Sequence, residues 1–325
     1  MDSLPRSSAQ AERFRSALER LAGPRVQRLG VAVSGGPDSL ALLLLATAGY
    51  PGRVHAATVD HHLRPESAEE ARFVAGLCAR LDVPHSVLPV EVACGGQGMQ
   101  GEARRARYDA LARWAAEQGI STVCTAHHAD DQAETVLMRL QRGSGAAGLA
   151  GVRPVRKVGD LLVARPLLDW SRAQLAALVE EAGLTAIADP SNQDSRFDRV
   201  RMRSFLAANP QFEARRLARS AASLGEANQA LEWAADLLEA ERCAPLDGEW
   251  RIDATDLPRE LARRLLARAL AAIQRDNGLQ ACSAPDLEGL LRTLEAGGTG
   301  TLAGVMASAS GSAWRVRQAP PRRRA

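Results

Sequence analysis

Residues 31–39 read Val31-Ala32-Val33-Ser34-Gly35-Gly36-Pro37-Asp38-Ser39, and Leu40 to Leu45 continue as an apolar, helix-compatible run. An apolar stretch ending in a hydroxyl, two glycines and an acid predicts a strand, a tight turn and a helix N-terminus. The first N–H groups of a helix have no partner inside it, so such a turn aims free donors at an anion. Gly35 and Gly36 permit φ > 0 and a close approach of backbone to phosphate. Ser34 and Ser39 add hydroxyls, and Asp38 can help hold a magnesium ion or cap the helix. No lysine follows the glycines as GxxxxGK[ST] requires, and GxGxxG is absent as well. An ordinary glycine turn is the plain alternative. The strand before it, the helix after it and the hydroxyls and acid within it weigh against that.

The 325 residues are enough for one large or two ordinary domains, each with its own core. A 46% hydrophobic and 24% charged composition is that of a globular chain. The formal net charge of +3 permits a nucleic-acid partner without requiring one. Lys157 is the only lysine, so nearly all positive charge is arginine. The five cysteines form no CxxC pair, which argues against a zinc or iron–sulfur site, and their odd number argues against a disulfide framework. The N-terminus is charged where a signal peptide needs an apolar core. No run approaches eighteen apolar residues, so a cytoplasmic chain with no membrane partner is expected.

Strands alternate with helices along the first half. A helix is expected over 11–22, strands over 54–59, 85–92 and 121–125, and helices from Ser67 to about Leu81, around Arg104 to Tyr108 and from near Asp130. This order predicts an α/β fold with a parallel sheet covered on both faces. Ligands of such sheets sit at the carboxyl ends of the strands. Four clusters fall there: Ser34 to Ser39, Asp60 to Arg64, the glycine-rich segment 94–101 before Arg104, and Ala126 to Glu134. Their convergence predicts one active site. Further on, Arg165-Pro166-Leu167-Leu168 closes a short strand and a helix covers 171–182. Asp189-Pro190-Ser191-Asn192 is a turn. A long helix spans 213–242, ended by a break at Ala244-Pro245. Helices over 257–275 and 285–294 and short strands near 301–306 and 313–317 complete the chain. A domain boundary is expected near residue 210.

Three side-chain groups carry chemistry. Asp131 and Glu134 lie three apart on one helix face and can present two carboxylates to a cationic amine or a magnesium ion. Asp130 suits an N-cap, and His127 sits at the strand end within reach of a phosphate. A solvated acidic helix start would account for the acids, but not for the histidines beside them. Arg104 and Arg107 also lie three apart, with Tyr108 one turn after Arg104, and can grip phosphate oxygens. An exposed basic helix face is the alternative there. Arg196, Arg199, Arg201 and Arg203, followed by Arg215, Arg216 and Arg219, are opposed only by Asp198 and Glu213. They read as a phosphate-backbone patch or a solvated helix flank. The Arg322-Arg323-Arg324 tail adds non-specific attraction.

With these residues assembled, the chain resembles the tRNA(Ile)-lysidine synthetases of the pyrophosphate-loop ATP pyrophosphatase superfamily. The likeness runs over residues 28–205. It is carried by SGGPDS, VDHHLRPES, ARRARY, AHHADDQAETVLMRLQRGSGAAGL, RPLL and DPSN, in that order. The resemblance implies a Rossmann-like parallel sheet domain over 1–210 that binds ATP, then a smaller, mainly helical tRNA-binding domain over 211–325. It implies adenylation of the C2 carbonyl of cytidine 34 in the CAU anticodon of tRNA(Ile), followed by attack of free lysine to give lysidine, AMP and pyrophosphate. Its cofactors are ATP and magnesium. The residues Ser34, Gly35, Gly36, Pro37, Asp38, Ser39 and His127 fall to ATP, and Asp38 also to magnesium. Asp38, Arg104, Asp131 and Glu134 are the implied catalytic set, with Asp131 or Glu134 taking the proton of the lysine amine. Arg107, Arg199 and Arg203 fall to substrate phosphates. No stable protein partner is expected beyond a homodimer.

Two features depart from the pattern of that family. Its Arg-Asn-x-x-Arg signature reads here Arg199-Val200-Arg201-Met202-Arg203, and the chain is short for a long-form member, which implies a single C-terminal domain. Three rival readings stay open. A tRNA thiolase of the same superfamily usually needs paired cysteines, and an amidotransferase-type synthetase needs a glutaminase domain. A non-catalytic ATP sensor has no use for a second basic patch.

Overall fold

A computed structural model describes residues 8–60, 67–90, 99–187, 198–279 and 287–320. The chain forms two compact units, 1–225 and 226–325. The expected features at 61–66, 94–98, Asp189 to Asn192, Arg196 and 322–324 lie outside the described residues.

The first unit contains α1 (Ser8–Ala22), β1 (Leu29–Ala32), α2 (Pro37–Gly49), β2 (Val54–Asp60), α3 (Ser67–Arg80), β3 (His85–Pro89), α4 (Met99–Glu117) and β4 (Thr122–Cys124). It continues through α5 (Ala129–Gln141), α6 (Ala146–Leu149), β5 (Val155–Val158), β6 (Leu161–Ala164), α7 (Arg172–Glu181), α8 (Asp198–Ala208) and the start of α9 (Ala214–Arg242). Its sheet runs β3-β2-β1-β4-β6-β5. All pairings are parallel except the β5–β6 hairpin, an antiparallel edge that the alternating pattern does not anticipate. The central strands β1 and β4 are buried along their whole length, as strands covered on both faces must be.

The helices cover the sheet as their apolar faces dictate. Helix α2 is apolar all round, and Ser39 to Ala46 are all buried. Phe14 and Leu18 of α1, Val74 and Leu77 of α3, and Leu175 and Leu178 of α7 share its core with β1. On the opposite face Leu111 and Trp114 of α4 pack with Val123 and Val163. Strand order changes direction between β1 and β4, because β2 and β3 extend to one side of β1 and β4 starts the other. The carboxyl ends of these two neighbours therefore open onto a crevice.

The second unit contains the remainder of α9, β7 (Cys243–Leu246), β8 (Glu249–Asp253), α10 (Arg259–Asp276), α11 (Leu287–Glu295), β9 (Thr299–Leu302), β10 (Val305–Ser310) and β11 (Ala313–Gln318). Helix outweighs strand, but the strands form a five-membered antiparallel sheet, β7-β8-β11-β10-β9. The stretch read as one strand over 301–306 is a hairpin, turned at Ala303 and Gly304, both with φ > 0. The break at Ala244-Pro245 is the edge strand β7, where a proline costs no ladder hydrogen bond. Leu265, Leu266, Ala269 and Ile273 of α10 pack on the inward residues Ile252, Val305, Trp314 and Val316 of this sheet.

Candidate active site at the strand switch point

The turn after β1 is held by its own hydroxyls. Ser39 Oγ donates to the carbonyl of Gly36 at 2.9 Å and accepts from the N–H of Ser34 at 3.1 Å, and the Ser34 hydroxyl lies 3.3 Å away. Gly35 has φ +84°, and a Cβ there would stand 2.7 Å from Ile187 Cδ1, so only glycine fits. At Gly36 a Cβ would meet nothing nearer than Ser34 Oγ at 3.8 Å. Gly36 is the N-cap of α2 and Pro37 opens the helix, with no side chain capping it. The first turn thus keeps its anion-binding character.

The turn after β4 supplies the facing wall. His128, not Asp130, is the N-cap of α5. Its Nδ1 lies 3.2 Å from the N–H of Asp130, and its own N–H donates to Asp131 Oδ2 at 3.1 Å. Asp130 serves a different helix, accepting the N–H of Arg172 at the start of α7 at 2.8 Å. That bond and the neighbouring histidine hold the Asp130 carboxyl down at about 2 against the opposing effect of its burial. His128 is fully buried, with Nε2 3.3 Å from Asp38 Oδ2 and 3.6 Å from Asp131 Oδ2. Burial alone would depress the imidazole, but the bonds to Asp130 and Asp38 and the charges of Asp131 and Asp38 raise it to about 10. Three carboxylates around one ring favour the imidazolium over the neutral, cap-accepting form. The neighbouring His127 turns the other way. Its Nδ1 lies 3.0 Å from Thr125 Oγ1, and burial, then Arg165, Arg107, Arg104 and Arg199, push it well below its ordinary value. His127 is a neutral ring.

Between these walls lies a cleft of about 440 Å³. Ser34, Gly36, Pro37, Asp38, Ser39, His127, Asp131, Arg107 and Arg199 all line it. Asp38 Oδ1 is buried without a hydrogen-bond partner. Glu134 is placed elsewhere. Its carboxylate is 1% exposed and takes Arg203 Nε at 3.0 Å, Arg172 at 3.4 Å and Arg199 at 3.6 Å. It ties α5 to α7 and α8, and Arg203 is turned toward it. Arg104 stands outside the cleft lining, over the Tyr108 ring.

Two residues to which the sequence reading gave no role join this site. His128 was hidden by its neighbour, since successive residues leaving a strand face opposite sides. Arg165 is 3% exposed and donates to the Tyr108 hydroxyl at 3.1 Å and to the carbonyl of Arg153 at 2.7 Å. The RPLL motif was its only signal. Among the described residues no three His, Cys, Asp or Glu side chains gather as a metal cluster. Cys78, Cys124 and Cys243 are free, and no described helix is long and apolar enough to cross a membrane.

A glycine turn of this form, at the switch point of a parallel sheet, defines an ATP-binding protein of the PP-loop class, and the PP-loop domain family model matches residues 8–209. The chain is 47% identical over 319 residues to a tRNA(Ile)-lysidine synthase of Novosphingobium aromaticivorans, covering 97% of this chain and 96% of that one. It is 43% identical to that of Zymomonas mobilis, over 94% and 92% of the two chains. The chain belongs to the tRNA(Ile)-lysidine synthase family. A solved U34-tRNA thiolase from Methanococcus maripaludis shares the fold, with a TM-score of 0.54, 16% identity and coverage of 67% and 80%.

Proposed function

We infer that this chain is a carbon–nitrogen ligase that makes lysidine at cytidine 34 of the CAU anticodon of tRNA(Ile), at the expense of ATP. The observation that carries this reading is the convergence on one cleft of an uncapped helix start, an acid at Asp38 whose Oδ1 has no hydrogen-bond partner, and the side chains of Asp131, Arg107 and Arg199. ATP, lysine and tRNA place the reaction in the cytoplasm.

In the first step the C2 carbonyl oxygen of the base attacks the α-phosphorus and pyrophosphate leaves. The N–H groups at the start of α2, the hydroxyls of Ser34 and Ser39, and Arg107 face the charge that builds on the phosphates. Magnesium, when bound, adds neutralising charge to the leaving pyrophosphate. Asp38 would hold it, the buried and unpartnered Oδ1 being a fitting donor, with phosphate and water oxygens completing the shell. His127, neutral, offers a hydrogen bond to phosphate without a charge.

In the second step the lysine amine attacks C2, AMP departs, and the nitrogen loses protons. With a pKa near 10.4, only roughly one lysine in a thousand is neutral near pH 7.4. A carboxylate must orient the ammonium and take its proton. Of the two acids implied by the resemblance we assign this to Asp131, which faces the cleft, because Glu134 is occupied by three arginines. Arg199 and Arg203 on α8 and the second unit are assigned to the tRNA.

Radiolabelled lysine incubated with unmodified CAU-bearing tRNA(Ile), ATP and magnesium tests the proposal. Label should appear on the tRNA, vanish with Asp38→Ala and be absent when nucleotide 34 is not C. ATP binding without transfer of label would overturn it.

A further inference from the structure

Tyr108 is 3% exposed, and three guanidinium groups lie against it. Arg104 lies 5.2 Å and Arg156 4.8 Å from its ring centroid. Its hydroxyl oxygen takes Arg104 at 3.2 Å and Arg165 at 3.1 Å. Among the described residues no ion pair joins Arg104, Arg107, Arg156 or Arg165 to a carboxylate. Elsewhere a carboxylate compensates grouped cations, as Glu134 does for Arg172, Arg199 and Arg203. Here the chain leaves four like charges together.

The hydrogen bonding of the group is also incomplete. A phenol oxygen has two acceptor sites, and both are used by guanidinium donors, so its proton must be given away. No acceptor for it exists among the described hydrogen bonds. The Nε–H of the buried Arg165 has none either. Unmet donors on buried side chains, in a field of uncompensated positive charge, call for an anion with several acceptor oxygens. The β5–β6 hairpin carries this group along the sheet edge: Arg156 lies on β5 opposite Val163, and Arg165 follows β6 with its N–H bonded to the carbonyl of Pro154. Of the four arginines only Arg107 also lines the cleft, and it stands one residue before Tyr108.

We propose that Tyr108, Arg156 and Arg165, with Arg104, form a docking site for the phosphodiester backbone of the RNA strand that carries the target base into the cleft. The inference rests on the reading of the chain as a tRNA-modifying enzyme and assigns the edge hairpin to the RNA. The site adjoins the nucleotide cleft through Arg107 without belonging to it, which suits a phosphate next to the modified nucleotide and not the phosphates of ATP. Burial would raise the Tyr108 phenol, but Arg165 and Arg104 bring it below its ordinary value, which makes it a better donor.

The test is the affinity of the full chain for a CAU-bearing anticodon stem-loop RNA across a salt series, with no lysine present, beside its affinity for ATP. Arg156→Glu should weaken RNA binding about tenfold and flatten the dependence of log K on log salt by about one phosphate contact. ATP affinity should stay within twofold. Should that variant fail to fold, Arg156→Gln is read in its place, with a smaller loss of RNA affinity and the same change of slope. Tyr108→Phe, which keeps the ring and removes the proton donor, should weaken RNA binding alone. Unchanged RNA affinity and slope in these variants overturn the proposal, and so does parallel loss of ATP affinity, which would assign the site to the nucleotide. Failure of the wild-type chain to transfer lysine is a separate result that bears on the reaction.

Discussion

His128 Nε2 stands 3.3 Å from Asp38 Oδ2, joining the turn after β4 to the first turn of α2 across the switch point of the sheet. One carboxylate oxygen is thereby fixed toward a buried ring, and the other, Oδ1, is buried without a hydrogen-bond partner. The backbone N–H of the same histidine, at the start of α5, donates to Asp131 Oδ2 at 3.1 Å. A single buried residue thus contacts both acids assigned to the reaction.

Replacing it by asparagine separates its two jobs. Asn is as good an N-cap as any residue, and its side-chain oxygen can accept the N–H of Asp130, which an imidazolium cannot. It is too short to reach Asp38. His128→Asn should therefore unfold only a few degrees earlier but lose about tenfold in tRNA-dependent ATP–pyrophosphate exchange, roughly 1.4 kcal/mol of transition-state stabilisation. Unaltered exchange in a folded variant would remove the positioning role.

Stability should fall on the acid side of neutrality for an identifiable reason. Thr58 gives its hydroxyl proton to the carbonyl of Val33 at 2.9 Å, so it accepts from His85 Nε2 at 2.9 Å. His85 is thus protonated at Nε2, and its burial lowers the affinity of the ring for a second proton. His55 and His127 are lowered for the same first reason. A histidine whose folded pKa lies below its unfolded value binds more protons unfolded, so stability is lost as pH falls through about 6.5. Thermal unfolding between pH 6.5 and 5.5 should show a declining Tm; above that range His128, whose folded value is raised to about 10, acts in the opposite direction. His85→Gln retains a donor for Thr58 and cannot titrate, so it should decline less. Equal slopes would exclude His85.

Asp131 and Glu134 differ by one helical turn and should differ in phenotype. Asp131→Asn removes the proton acceptor but leaves an N-cap partner for His128. It should spare adenylation and slow lysine transfer by about 10²–10⁴-fold, the range for general base catalysis. Glu134→Gln strands Arg172, Arg199 and Arg203 around a neutral amide. It should cost about 2 kcal/mol of stability, less than the roughly 3–5 kcal/mol of a fully buried pair because the arginines are 32–49% exposed. Urea unfolding and separate assays of exchange and transfer would distinguish the two. A stable Glu134→Gln enzyme defective only in lysine transfer would reverse the assignment.

What the sequence discloses here follows the range of each interaction. The turn at Ser34 to Ser39 is written in contiguous residues, and the alternation of apolar strands and helices gives the sheet that presents it. Glu134 is tied to residues 38 to 69 positions away, a distance over which helix periodicity carries no information. Strand β5, Val155-Arg156-Lys157-Val158, is too short and too charged to read as sheet until Arg156 is seen to lie across Tyr108. The C-terminal hairpins did leave a local signal. Asp247-Gly248 between β7 and β8 is the residue pair that a type I′ turn favours, and both have φ > 0. Pro245, two residues before that turn, gives the competing signal of a helix end.

The paired glycines offer the sharpest contrast between fold and chemistry. Gly35 has φ +84°, and its carbonyl accepts the N–H of Ile187 at 3.1 Å while Ile187 Cδ1 fills the space a Cβ would need. Gly35→Ala must pay the left-handed backbone penalty, roughly 1–2 kcal/mol, and displace Ile187 as well. Gly36 has φ −73°, open to any residue, and no atom other than Ser34 Oγ within reach of an added methyl. Gly36→Ala should therefore cost only what alanine loses to glycine as an N-cap, roughly 1 kcal/mol, while the methyl stands at the start of α2 where a phosphate would approach. Gly35→Ala should lower Tm by several degrees, and Gly36→Ala should lower it less while weakening ATP binding. Calorimetric unfolding paired with ATP titration reads both effects. A Gly36→Ala chain that binds ATP as the wild type does would move the phosphates away from this helix start.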